Sequence, residues 1–420
     1  MTVDPSVLSL FPSSCVVDAG GALTLGGVRL STLADEFGTP VQVVDEAALR
    51  QRAREFTDGL RQRRPGSSVA FASKSFPCTA IYRVMAEEGL HIDVAGAGEL
   101  VTALKAGVRA SQIVLHGNAK TDHELGLAVE HGVGTVVIDG WDDIHRLEKL
   151  GGARQSVLLR VIPGVDAPTM AAISTGHHGS KFGLSLDEAR RAIAHMQTGD
   201  RFDVRGIHLH IGSQILTVDA FAEAVAAVSD LGTFDVYDVG GGLGVRYHRT
   251  DTAPTVAEYL DTITEAASAH LPDAAELWIE PGRSLVAQSA VSLYRVITVK
   301  RGAPTFVAVD GGIADNLEAS TYVGTRFDAL LADRPTGDGP PVELVGRQCE
   351  SGDLFASDLP LADPQTGDVI AMPVTGAYTY TLLSNYNGAL RPPVVFVQNG
   401  SARLVVRRET YDELTARDVD

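Results

Sequence analysis

Val69-Ala-Phe-Ala-Ser-Lys74 decides how this chain is read. Small and apolar residues run up to a lysine, and Ser75-Phe-Pro77 then stops a strand, because proline cannot donate to a ladder. Lys74 is thereby placed at the C-terminal lip of a strand with its amine facing a cavity. Barrel enzymes keep their reactive groups at that lip. A lysine so placed is a candidate Schiff-base former, since desolvation or a nearby cation frees its amine to attack a carbonyl. Taken alone, the run reads first as a lysine snorkelling at a strand end. The residues around it have to change that.

Working outward, short strand-type runs alternate with helical patterns from about residue 40 to 290. They begin at Val41-Gln-Val-Val-Asp45, Val69, His91-Ile-Asp-Val-Ala95, Ile113-Val-Leu-His116 and Thr135-Val-Val-Ile-Asp139. They continue at Val157-Leu-Leu-Arg-Val161, Gly206-Ile-His-Leu-His-Ile211, Phe234-Asp-Val-Tyr-Asp-Val239 and Leu277-Trp-Ile-Glu280. This alternation predicts an α/β fold whose main body is a (β/α)8 barrel over residues 39–290. Nine runs compete for eight places, so the first or the last belongs to a neighbouring domain. Periodicity leaves an open doubly wound sheet as the competing arrangement. Residues 1–38 and 291–420 show alternating runs and turns and few helical patterns. They predict a mostly antiparallel β domain built from both chain ends.

Composition narrows the function classes. The chain has 420 residues, 45% of them hydrophobic, and 43 glycines, as suits a large globular α/β protein with many turns. A net charge of −18 argues against a nucleic-acid or anionic-membrane partner, since both reward a basic face. No apolar run is long enough to span a bilayer, and Met1-Thr-Val-Asp-Pro5 lacks the features of a signal peptide. Cys15, Cys78 and Cys349 are odd in number and far apart, which points to free thiols in a reducing cytoplasm.

Four further constellations bear on chemistry. Gly240-Gly-Gly242 follows a late strand, where exposed backbone N–H groups could hold a phosphate, although a tight turn explains three glycines as well. His208-Leu-His210 places two imidazoles on one strand face. No third metal ligand stands at a recognisable spacing, and a flat imidazole there could instead stack on an aromatic cofactor. Glu280-Pro-Gly-Arg283 ends another strand; its carboxylate could pair with a protonated ring nitrogen, and Arg283 could grip a carboxylate or phosphate. Cys349-Glu-Ser-Gly-Asp353 sets a cysteine among acids, which suits a polar turn better than a core. An amine, an anion nest, a ring stacker and an acid for a ring nitrogen are together what pyridoxal 5′-phosphate requires.

The same residues carry a resemblance. Phe71-Ala-Ser-Lys74, Asp93-Val-Ala-Gly96 with Gly98-Glu99, His116-Gly-Asn118, Lys181-Phe-Gly183 and His208-Leu-His-Ile-Gly-Ser-Gln214 stand in order. They are followed by Asp238-Val-Gly-Gly-Gly-Leu-Gly244, Glu280-Pro-Gly-Arg283, Cys349-Glu-Ser-Gly-Asp353, Gly376-Ala-Tyr378 and Ser384-Asn-Tyr-Asn387. Over nearly its whole length the chain resembles the barrel-type (fold type III) pyridoxal-phosphate amino acid decarboxylases, and most closely the diaminopimelate decarboxylases. The resemblance implies a cytoplasmic carboxy-lyase of lysine biosynthesis that converts meso-diaminopimelate to L-lysine and carbon dioxide. It implies that Lys74 holds the cofactor and that His210 stacks on its ring. Ser213, Gly241, Gly242, Gly282, Arg283 and Tyr378 would lie around the cofactor, with Asp93 near it and Glu280 on the pyridine nitrogen. An alanine-racemase-like relative would carry an arginine where Glu280 stands, so Glu280 favours decarboxylation. Cys349 would donate a proton from the second subunit, which implies a homodimer with shared active sites.

For the substrate, the resemblance implies Arg283, Tyr322, Glu350 and Tyr378, together with a second arginine just after Asp315-Asn316. Glu318 stands there instead. An anion in a partly buried site repels a carboxylate unless another cation compensates, and Arg326 is near enough in sequence to do so. Alternatively, Glu318 meets an ammonium or another polar group, and the substrate is a related amino acid or conjugate. A cofactor-free regulatory relative is the remaining alternative, and Lys74, Glu280 and Cys349 argue against it.

Overall fold

The computed structural model describes residues 3–165, 180–320 and 325–419, in two compact units. One comprises Arg52–Val245 and Thr252–Ser284; the other comprises the chain up to Gln51, Arg246–Asp251 and the chain from Leu285.

The first unit is a closed barrel of eight parallel strands. In chain order they are Ser68–Ala72, His91–Val94, Ile113–Leu115, Thr135–Ile138, Gln155–Arg160, Phe202–His208, Val236–Asp238 and Glu276–Ile279. The last returns to the first through Trp278 opposite Ser68 and Ile279 opposite Val69. Helices follow the first seven strands, from Thr79–Glu87 to Val256–His270. Three of these start with a full capping box. Thr121 with Glu124, Ser185 with Glu188 and Thr255 with Glu258 exchange side-chain and backbone bonds, satisfying N–H groups the first turn would leave unpaired. Val114, Val137, Leu158, Val236 and Trp278, from five different strands, meet in one buried cluster. Strands buried on both sides read as the near-continuous apolar runs seen in the sequence.

The second unit is built on a nine-stranded sheet among the described residues. Its long strand Ala290–Lys300 pairs antiparallel with Phe306–Val309, Val369–Pro373 and Val41–Asp45. Val394–Gln398 joins Val41–Asp45 in parallel and Ser401–Val406 antiparallel. Both chain ends therefore contribute, and most pairings are antiparallel. Val41–Asp45 is the ninth strand candidate. Buried at all five positions, it lies centrally in this sheet and not in the barrel. The barrel boundaries expected at 39 and 290 accordingly fall at Arg52 and Ser284, apart from the excursion Arg246–Asp251. A continuous apolar pentapeptide suits either sheet, and only its partners distinguish them. The N-terminal part also holds a helix, Leu30–Phe37, which buries Leu30, Leu33 and Ala34 on one face. Its i, i+3, i+4 spacing was legible within a segment read as strands and turns.

Close backbone approach explains one barrel glycine directly. A Cβ on Gly206 would collide with the carbonyl oxygen of Val236 on the neighbouring strand. Gly206→Ala should destabilise the barrel by about 1–3 kcal/mol, the usual cost of overpacking, read as a lower Tm by calorimetry. An unchanged Tm would mean that the two strands can part freely.

Candidate active site

The chemistry-bearing residues of the barrel unit stand just past the strand ends. Lys74 lies two residues beyond Ser68–Ala72, in the single turn Ser73–Ser75. It is exposed between buried Ser73 and Ser75, and Ser75 Oγ donates to Ala72 O at 2.9 Å. The Glu280-Pro-Gly-Arg turn packs on this segment: Ala72 N–H donates to Pro281 O at 3.2 Å. A Cβ on Gly282 would come within 3.0 Å of Ala72 Cβ. A side chain there would crowd the contact between the two turns.

Behind the lip lies a buried cluster centred on Glu280. His116 Nε2 is 2.7 Å from Glu280 Oε1, and His208 Nε2 is 3.0 Å from Glu280 Oε2. The two imidazoles meet edge to face at 4.8 Å. Asp93 Oδ1 lies 3.7 Å from His116 Nε2. Burial alone would raise the Glu280 carboxyl, but His116 and then His208 outweigh it and hold it well below the usual carboxylate range. Burial, helped by the charge on Glu280, pushes Asp93 up to about 7 and Asp238 well above its ordinary value. Asp238 Oδ1 accepts from Gly240 N–H at 2.8 Å, while its buried Oδ2 has no hydrogen-bond partner. The cluster thus keeps one carboxylate ionised while its neighbours tend to the neutral form.

His116, His208 and Glu280 also bring three possible metal-donor atoms within 4.8 Å of one another. Each imidazole Nε2 facing Glu280 is engaged with one of its oxygens. His208 and His210 do not act as a pair. His210 turns to the glycine segment, where its Nδ1 accepts from Gly241 N–H at 3.2 Å. Burial, with Lys74 and Arg160 nearby, holds His210 well below the usual imidazole value. It is therefore a neutral ring with one nitrogen fixed by the backbone.

Gly240, Gly241 and Gly242 serve close packing first. Cβ atoms there would crowd Leu209 O, Glu280 O and Gly212 O respectively, and Gly240 and Gly242 have positive φ. Arg283 Nε donates to Ser213 Oγ at 3.4 Å, joining two residues singled out for anion contact. The barrel unit therefore gathers Lys74, Asp93, His210, Ser213, Gly241, Gly242, Glu280, Gly282 and Arg283 at its strand ends.

The sheet unit carries the other residues. Cys349 is exposed, and its N–H donates to Asn387 Oδ1 at 2.7 Å. Asp353 fixes the same turn by accepting from Ile313 N–H at 2.8 Å and Gln348 N–H at 2.7 Å. Glu350 caps it through Gly352 N–H at 3.3 Å. Tyr378 has a φ of 62°, a conformation that side-chain-bearing residues seldom adopt. Glu318 is buried in the turn Leu317–Ala319. Arg326 is exposed, 3.4 Å from His248 Nε2. Tyr322 lies outside the described residues. Sequence reading gave no role to His116, Arg160 or Asp238, which complete the Glu280 cluster. Their signal was positional, since each stands at or just past a barrel strand's C-terminal end.

A planar cofactor with a basic ring nitrogen and an anionic tail fits these residues. An ionised carboxylate is held in the barrel end, a neutral imidazole stands beside an exposed lysine, and Arg283 with Ser213 supplies donors. Residues 46–287 match the pyridoxal-binding domain of the pyridoxal-dependent decarboxylases. The chain belongs to that family. It is 42% identical to the diaminopimelate decarboxylase of Actinosynnema pretiosum, over 100% of this chain and 98% of the relative. It is 40% identical to that of Bacillus subtilis, over 95% of each. Among solved structures, the diaminopimelate decarboxylase of M. jannaschii in complex with L-lysine superposes with a TM-score of 0.88. The pair is 29% identical, and the match covers 97% of this chain and 98% of that one. The Helicobacter pylori enzyme, also complexed with L-lysine, gives 0.85 at 27% identity, over 92% of this chain and 98% of that one.

The cluster has a pH signature. Burial pushes His208 down to about 4, and its unpartnered Nδ1 could place a proton only where nothing accepts it. Unfolded, the ring takes up a proton near ~6.5; folded, it resists until about 4. Its contribution is therefore present above ~6.5 and is lost as pH falls towards about 4, by roughly 3 kcal/mol. Calorimetry from pH 7 to 4 should show His208→Gln losing less stability in acid than the parent. Equally steep losses would remove His208 as the cause.

Proposed function

We propose that the protein is a pyridoxal 5′-phosphate-dependent carboxy-lyase that converts meso-diaminopimelate to L-lysine and carbon dioxide. The observation that carries this reading is Glu280, a buried carboxylate kept ionised by His116 and His208 at the end of a barrel strand, in a chain with full-length likeness to diaminopimelate decarboxylases. Bound there, pyridoxal phosphate supplies an electron sink for the pair left behind when carbon dioxide departs.

Lys74 is the amine that anchors the cofactor, exposed at the lip between two buried serines. Glu280 presents its negative charge to the ring nitrogen and holds that nitrogen protonated. Neutral His210 offers a ring face, oriented through Gly241 N–H. Ser213, Gly241, Gly242, Gly282, Arg283 and Tyr378 surround the cofactor and its phosphate, with Asp93 nearby. Arg283, Tyr322, Glu350 and Tyr378 receive the substrate. Cys349, on a turn pinned by Asn387 and Asp353, delivers a proton to the carbon that lost the carboxyl group. We place that cysteine in the site of a second copy, so that the working unit is a homodimer, and we place the enzyme in the cytoplasm. Among the described residues no helix is long and apolar enough to cross a membrane.

Purified protein loaded with pyridoxal phosphate should release lysine and carbon dioxide from meso-diaminopimelate with kcat/KM at or above ~10⁴ M⁻¹ s⁻¹. Cofactor uptake without turnover of this substrate would overturn the assignment. Lys74→Ala should abolish the covalent cofactor band. Cys349→Ala should keep that band and slow turnover by about 10²-fold or more, as loss of a proton donor does; unchanged turnover would take Cys349 out of the mechanism.

Glu318 supports a second reading. It is a buried carboxylate where the resemblance implies a substrate-binding arginine. In that reading the substrate is a related amino acid or conjugate with a cationic or neutral far end. Glu318→Arg should then raise diaminopimelate turnover and depress that of the alternative. No change in either would locate the specificity elsewhere.

A further inference from the structure

His116 stands one residue beyond the strand Ile113–Leu115, and its N–H donates to Val94 O at 2.7 Å, which fixes the backbone beneath the ring. The side chain is almost entirely buried, and so are Glu280 and Asp93, the two carboxyl groups on either side of its Nε2. An ionised Glu280 at that depth needs a cation against it, because an unpaired buried charge costs several kcal/mol. Among the described residues, three groups besides His116 could supply it. Arg160 is engaged elsewhere: its guanidinium lies over the Phe182 ring at 4.3 Å and 3.8 Å from Asp139. His208 cannot take the charge, since its Nδ1 is buried with no acceptor. Lys74 is exposed at the lip; its charge acts on Asp93, whereas the charges that act most on Glu280 are those of His116 and His208. His116 remains.

From this geometry we infer that His116 is a positioning residue. As an imidazolium shared between Glu280 and Asp93, it keeps Glu280 ionised and its carboxylate fixed, while His208 donates to the other oxygen as a neutral ring. One carboxylate is thus clamped by two imidazoles in different charge states. Burial would lower His116, but Asp93 and then Glu280 outweigh burial and the opposing charge of Arg160, leaving the ring raised above its ordinary value. Among the described residues, the groups facing His116 are Asp93, Glu280, His208 and Arg160, with Asp238 beside Glu280. Its link to the cofactor rests on the proposed reading of the barrel mouth; the charge state of His116 does not.

Imidazole ¹⁵N resonances of the full-length protein, followed from pH 5 to 9 with and without pyridoxal phosphate, test this. One ring, identified by its loss in His116→Gln, should stay doubly protonated well above ~6.5. In Asp93→Asn and in Glu280→Gln its titration should move down by a unit or more. Loaded with cofactor, His116→Gln should bind pyridoxal phosphate at least about 10-fold more weakly at pH 8. Its cofactor absorbance should gain a pH dependence that the parent lacks. A His116 ring that loses its second proton at or below ~6.5, or whose titration both acid variants leave unchanged, overturns the inference. If Glu280→Gln fails to fold, the parent titration and Asp93→Asn decide. A parent that takes up no cofactor, yet shows the raised ring, would sink the proposed function and leave the clamp standing.

Discussion

A single ionised carboxylate inside a barrel is the constraint on which the rest of the site depends. Glu280 is almost fully buried, and a lone carboxylate there would take up a proton rather than remain charged. It stays anionic because both of its oxygens meet imidazole nitrogens, at 2.7 and 3.0 Å. Those imidazoles stand just past the third strand and at the end of the sixth, so the two contacts that hold the buried charge form only once the barrel has closed. The neighbouring acids pay the electrostatic cost: Asp93 and Asp238 shift towards their neutral forms beside it.

The backbone around Glu280 follows from the same constraint. Its carbonyl oxygen lies where a Cβ on Gly241 would sit, and its N–H donates to Gly240 O at 2.8 Å. Gly282 then lets the following turn rest on the turn of Lys74. The glycine run that looked like a phosphate nest therefore has a prior duty. It allows the ends of the sixth, seventh and eighth strands to approach closely enough to seat the carboxylate. Gly241 N–H is already engaged by His210, so it orients the ring rather than standing open to an anion.

How far the sequence could be read follows from which forces act locally. Barrel strands were legible because burial on both faces writes apolar runs into the chain, and capping boxes such as Thr121 with Glu124 mark helix starts within four residues. Val41–Asp45 could not be placed, because its ladder partners lie some 250 and 350 residues away. Lys74, His210 and Glu280 stood out by residue type at strand ends. His116 and Asp238 did not, since a histidine or aspartate there is ordinary until the barrel closes and brings Glu280 within 2.7 Å of the one and raises the other. Glu318 was legible only as a departure, and its burial adds weight to that reading.

The two units solve the problem of holding a reactive group in opposite ways. The barrel buries its charges and fixes them by mutual attraction, which suits groups that must keep one protonation state. The turn of Cys349 is exposed and is fixed through its backbone, by Asn387 on Cys349 N–H and by Asp353 on Ile313 and Gln348 N–H. Anchoring the peptide rather than the thiol leaves the Cys349 side chain exposed. Burial shows the contrast: the Cys15 and Cys78 thiols, shut in the cores of the two units, are pushed up to about 12 and about 11, far from any value useful for proton transfer at neutral pH. Under the proposed reading, a proton donor that must turn over sits on a pinned but open turn, and a charge that must never change sits inside the barrel.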